Sequence, residues 1–132
     1  MEQMFAERIG HGYRVMQDPE LYRKVQQMGI HFETCPTSSI LTGSVPLADA
    51  ALFKHPIMQF ARDEVNFSVN TDDTTITNSG MEAEYDLLRS WGFREAHFTR
   101  MTLNAAKSSF LPSFEKKELI AKLQKIYGLS SD

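Results

Sequence analysis

Residues Asn66–Asp73 read Asn-Phe-Ser-Val-Asn-Thr-Asp-Asp. Phe67 and Val69 alternate with Ser68 and Asn70, the period of a short strand with two different faces. The run stops on two adjacent carboxylates, Asp72 and Asp73. A buried carboxylate is costly unless it is paired or metal-bound, and two neighbours at a strand end also repel. A strand delivering such a pair is therefore a candidate site. The competing reading is a solvated turn, or a cap for a following helix, since Asp is common there.

Working outward, two upstream segments repeat the arrangement of strand followed by chemistry-bearing residues. Arg8–Gly12 reads Arg-Ile-Gly-His-Gly, and the two glycines remove side-chain bulk on both sides of His11, which lets backbone or ligand approach. A buried, satisfied histidine is the alternative. His31–Cys35 reads as a second strand and runs into the polar turn Pro36-Thr37-Ser38-Ser39, then a loop over residues 40–46. Helical signals separate the strands. Met1, Met4 and Phe5 suggest a helix fragment with no cap before it. Asp18-Pro19-Glu20 is a cap, a first-turn proline and an acid, followed by Leu21, Val25 and Met28 on one face and Gly29 as terminator. Residues 47–53 and 57–62 read as short helices divided by His55-Pro56.

Downstream of the aspartates, residues 74–80 are nearly all turn formers. Ser79 and Glu82 suggest a capping box for a helix carrying Met81, Tyr85 and Leu88, closed by Gly92. Residues 95–100 and 102–109 read as two short helices. Pro112-Ser113 opens a last one, with Leu119, Leu123 and Ile126 as its apolar stripe. Strands alternating with helices argue for parallel strands joined by crossovers, an α/β architecture. His11, the Pro36–Ser39 turn and Asp72-Asp73 each follow a strand, and parallel-sheet enzymes build their sites at that edge.

The chain has 132 residues, 42% of them hydrophobic, with 14 basic against 17 acidic side chains and a formal charge of -3. This is ordinary globular composition for one domain over residues 1–132, and it lacks the basic surface a nucleic-acid partner requires. No apolar run is long enough to span a membrane, and no signal peptide is evident. The single cysteine, Cys35, cannot form an internal disulfide, so a reducing, cytoplasmic setting is expected.

Five stretches taken together resemble the adenosine deaminase family in its animal-type form. They are Arg8-Ile9-Gly10-His11-Gly12-Tyr13; His31-Phe32-Glu33-Thr34-Cys35-Pro36 with Ser38-Ser39; Leu41-Thr42-Gly43; Asn70-Thr71-Asp72-Asp73; and residues 104–111, Asn-Ala-Ala-Lys-Ser-Ser-Phe-Leu. The resemblance runs in order over nearly the whole chain. It implies a (β/α)8 barrel with one catalytic zinc, and it places the three strands sixth, seventh and eighth. Asp72 matches the zinc-ligating aspartate, Asp73 the one that holds the purine ring, and His11 the histidine beside the metal-bound water. The implied reaction is hydrolytic deamination of adenosine or 2'-deoxyadenosine to inosine and ammonia by a monomeric parent protein.

Two local departures concern loop shape: Thr74 stands where the family usually has Pro, and Thr37 where it has Trp. The larger departure is that the family's His-x-His zinc pair and its His-Ala-Gly-Glu motif do not occur in these 132 residues. His31, His55 and His97 are expected in structural rather than ligating positions. The chain would then carry one of four protein zinc ligands, and a single carboxylate does not hold zinc in water. A full barrel takes about 250 residues, so a C-terminal portion of a longer parent is expected: a truncation, an isoform or an incomplete gene product. The alternatives are a relative acting on adenine, AMP or an N6-substituted nucleotide, and a non-catalytic fragment that binds a partner through a free strand edge.

Overall fold

The computed structural model describes residues 5–51 and 54–129. Three short strands, β1 (Arg8–Gly10), β2 (His31–Thr34) and β3 (Phe67–Val69), form one parallel sheet in the order β1-β2-β3. Arg8 stands opposite His31, and Phe32 opposite both Ile9 and Phe67. Parallel neighbours require crossovers, and helices supply them. A 3-10 turn (Tyr13–Gln17) and α1 (Pro19–Gln27) join β1 to β2. Helices α2 (Pro36–Leu41), α3 (Leu47–Ala51) and α4 (Pro56–Arg62) join β2 to β3. After β3 come α5 (Thr74–Thr77), α6 (Met81–Ser90), α7 (Glu95–Lys107) and α8 (Ser113–Ile126).

The period of two gives the sheet two different faces. Ile9, Phe32, Phe67 and Val69 turn toward the helices and join a core with Val25, Ile57, Leu88 and Met101. Phe60 of α4 is its centre, fully buried, with the rings of Phe32, Tyr13 and Phe67 at 5.1, 5.9 and 6.1 Å. The other face carries Arg8, His31, Glu33, Asn66 and Ser68. These polar groups satisfy one another: Arg8 Nε meets Glu33 Oε1 at 2.6 Å, and the His31 ring nitrogens meet Asn66 Oδ1 and Ser68 Oγ, both at 2.8 Å.

Several local expectations need correction. Residues 36–41 form a helix rather than a turn, because Pro36 presets the first helical residue and Ser39 and Thr42 return hydroxyls to Cys35 and Ser38 carbonyls. Residues 74–77 are also helical, with the Asp73 side chain accepting from Thr75 N at 2.9 Å. Ser79 does not cap α6; Gly80 holds that position. The two helices expected over residues 95–109 are one, α7, since nothing between Arg100 and Thr102 interrupts the backbone ladder. In α1 only Val25 is buried, while Leu21 and Met28 are exposed at its ends. The stripe of α8 is not buried: Leu119 and Leu123 are half-buried, and Ile126 is 67% exposed. Residues 5–7 are not helical; the rest of that proposed helix, Met1–Met4, lies outside the described residues, as do Leu52 and Phe53, the last two residues of the helix expected over 47–53.

Candidate active-site rim

Because the strands are parallel, their C-terminal ends deliver residues to one edge. His11 follows β1 by one residue and Asp72 follows β3 by three. Both sit in the left-handed backbone region, with φ of 55° and 60° respectively. Residues other than glycine pay for that conformation, and such strain concentrates where a side chain must be aimed. Here it aims both at the same point: His11 Nε2 lies 3.1 Å from Asp72 Oδ2. Gly12, at φ 73°, lets the chain turn away from His11; a Cβ there would stand 2.4 Å from the Phe32 ring.

Helix α2 fixes the pair from the side. Ser38 donates to Asp72 Oδ2 at 2.7 Å. Ser39 Oγ donates to Cys35 O at 2.6 Å and lies 3.0 Å from His11 Nδ1, within hydrogen-bonding distance. The Ser38 hydroxyl is the first cause holding the Asp72 carboxyl below its ordinary value, with the His11 ring and the Asp73 backbone adding to it. Asp72 is therefore an anion at neutral pH, although its side chain is 41% exposed. Beneath the pair, the buried Cys35 thiol is pushed up to about 12 by desolvation first, then by Asp72, Glu33 and Glu84. Ligand atoms of His11, Cys35 and Asp72 lie within 4.8 Å of one another, close enough to share a cation. Asp73 is exposed and points into α5, which it caps. A recess of about 220 Å³ opens beside His11, lined by Gly12, Tyr13, Arg14 and Ser44.

The remaining histidines stay away from this edge. His31 is buried against Asn66 and Ser68 at the start of β2. His55 is buried between Tyr13 and Trp91, and His97 accepts from Arg94 N at the start of α7. Sequence reasoning brings His11, the Pro36–Ser39 turn and the two aspartates to one rim but gives Ser38 and Ser39 no role there and does not single out Glu84. A Ser pair on the turn after β2 was the available signal; its meaning depends on α2 being helical, which places both hydroxyls toward the rim.

A parallel sheet with helical crossovers and a polar, strained rim at its strand ends is the architecture of a (β/α)8-barrel enzyme, present here as a part. Solved structures agree. A zinc-bound amidohydrolase from Burkholderia ambifaria superposes with a TM-score of 0.83 at 24% identity, covering 96% of this chain and 35% of that one. An adenine deaminase from Arthrobacter aurescens gives 0.81 at 23% identity, over 92% and 36%. At those identities they show the fold.

The family comes from sequence: the family described as adenosine deaminase matches residues 1–126, and the chain belongs to it. Adenosine deaminase of Gallus gallus is 50% identical over 125 residues, 94% of this chain. The chain spans about a third of the curated relative's length, 34% in that case.

Proposed function

We propose that this chain forms part of one barrel domain and supplies the C-terminal rim of a zinc-dependent deaminase that converts adenosine or 2'-deoxyadenosine to inosine and ammonia. The observation that carries the reading is the His11–Asp72 contact at 3.1 Å, held from both sides by Ser38 and Ser39. Its donor chemistry suits the metal: an anionic carboxylate and an imidazole, both reachable from solvent, are ordinary zinc ligands or neighbours. A zinc ion held by Asp72 and by histidines supplied from elsewhere in the barrel would provide an acidified water at neutral pH. His11 would hydrogen-bond the oxygen on which negative charge develops during attack on the purine ring. Ser39 keeps that imidazole in one orientation, and Asp73 would hold a ring nitrogen through the carboxylate oxygen not committed to capping α5.

The 132 residues present one of the expected ligands, so the chain by itself is proposed neither to retain zinc nor to turn over. Its Leu41-Thr42-Gly43 and residues 104–111 favour adenosine over adenine or AMP as the parent substrate. A cytoplasmic, monomeric parent fits the single cysteine and the resemblance.

Two measurements test this. Zinc content and ammonia release on the dialysed 132-residue chain are expected to be near zero; stoichiometric zinc with turnover would overturn the inactivity. Grafting the chain in place of the matching segment of the Gallus gallus enzyme should give a chelator-sensitive deaminase. A graft that folds, binds zinc and ignores adenosine while accepting adenine or AMP would overturn the substrate assignment.

A further inference from the structure

Glu84 is a carboxylate with no exposed surface, inside the first turns of α6. Among the described residues it has no ion-pair partner. Burying such a group without compensation is costly, so its two hydrogen bonds carry weight. Its Oε2 accepts from Thr37 N at 3.2 Å, and its Oε1 accepts from Ser79 Oγ at 2.8 Å. Pro36 has no N–H, so Thr37 presents the first amide of α2, one that no helical carbonyl can satisfy. Ser79 lies just beyond α5, the helix that Asp73 caps. The carboxylate thus joins the start of the helix bearing Ser38 and Ser39 to the end of the segment bearing Asp72 and Asp73.

We infer that Glu84 is a positioning residue: it sets the register of α2 against the β3 rim, and through Ser38 and Ser39 it holds His11 and Asp72 in their mutual contact. The inference rests on the reading of His11 and Asp72 as the working pair, but it concerns geometry that can be observed without turnover. Replacing the carboxylate frees the α2 amide and lets α2 shift. The Ser39–His11 and Ser38–Asp72 bonds, at 3.0 and 2.7 Å, then lengthen together. Glutamine keeps a carbonyl for Thr37 N and turns its amide toward the Ser79 oxygen, so it preserves the joint.

The test uses the full 132-residue chain labelled with ¹⁵N, whose 4 histidines provide internal controls. In Glu84→Ala, the Thr37 amide should exchange at least about tenfold faster, the factor expected for losing one such bond. The His11 ring nitrogens should shift, while those of His31 and His97 hold still. Glu84→Gln should restore both signals. An unmoved His11 ring in folded Glu84→Ala would overturn the inference, and so would all four histidines moving together, which marks general loosening. If Glu84→Ala does not fold, Ser79→Ala removes one bond only; a smaller His11 shift in that variant supports the role, and none overturns it. Failure of the deaminase reading would appear instead in the grafted enzyme, with these signals unaffected.

Discussion

The helix-covered face of the sheet and the rim at its strand ends are built on opposite terms. Around Phe60 the side chains are aromatic or branched, buried, and in relaxed backbone; the packing is the stabilising term. At the rim, His11 and Asp72 are partly exposed, in left-handed backbone, and held by hydroxyls rather than by apolar neighbours. One region stabilises the fold and the other draws on that stability to aim two side chains. Substitutions should therefore have large effects on folding in the first region and small ones in the second.

The largest effect is expected at the core. Phe60→Ala removes a ring packed against those of Tyr13, Tyr22, Phe32 and Phe67 and leaves a cavity, which should cost about 3–5 kcal/mol. For a domain of ordinary stability that is a large fraction of the total, and a urea midpoint will show it. Gly12→Ala should approach the same size from a different cause. The added methyl meets the Phe32 ring 2.4 Å away, at a φ that alanine adopts poorly. A midpoint within error of the parent for either variant would break the contrast.

Acid should find the core before it finds the rim. His55 is buried with Nδ1 accepting from Ile57 N, and among the described residues its Nε2 has no partner. Burial pushes its value down from 6.5 to about 4. Between those values the unfolded chain takes up a proton that the folded chain refuses. Its contribution is therefore fully present above 6.5 and lost as pH falls toward 4, by up to about 3 kcal/mol. His55→Asn keeps an acceptor for Ile57 N and has no ring to protonate, so its stability should be flatter across that window. Urea midpoints at pH 7.5, 5.5 and 4.5 for the two chains measure the difference.

The contrast also explains what was legible in the sequence. Strand positions and helix starts rest on short-range chemistry: alternation at Phe67 and Val69, the Asp18-Pro19 start, and glycines that end helices. Those signals placed all three strands and brought His11 and Asp72 to one edge. Ser38 and Ser39 were legible as residues but not as partners, because a Pro-Thr-Ser-Ser run suits a turn as well as a helix until Glu84 claims the Thr37 amide. Glu84 carries no signal in the sequence that sets it apart from the other acids near a helix start, and only the fold buries it. The stripe of α8, only partly covered, is the reverse case. Its apolar spacing is genuine, yet burial depends on what packs against it, which periodicity does not contain.

The smallest effect should come from the rim residue the proposed chemistry needs most. Asp72→Gly removes the part-buried hydrogen bond from Ser38, the exposed contact with His11 and the hydrogen bond from the Asp73 backbone, each a modest contribution. It also relieves a left-handed conformation at φ 60° that costs a side-chain-bearing residue about 1 kcal/mol. The terms oppose each other, so the urea midpoint should correspond to a change within about 1 kcal/mol of the parent. In the grafted enzyme the same substitution should abolish zinc retention and deamination, since the carboxylate is the proposed ligand. Near-parent stability with lost metal would sharpen the division between the two regions. A loss comparable to Phe60→Ala would mean that the rim stabilises the fold as the core does, and that its strain is compensated within the rim itself.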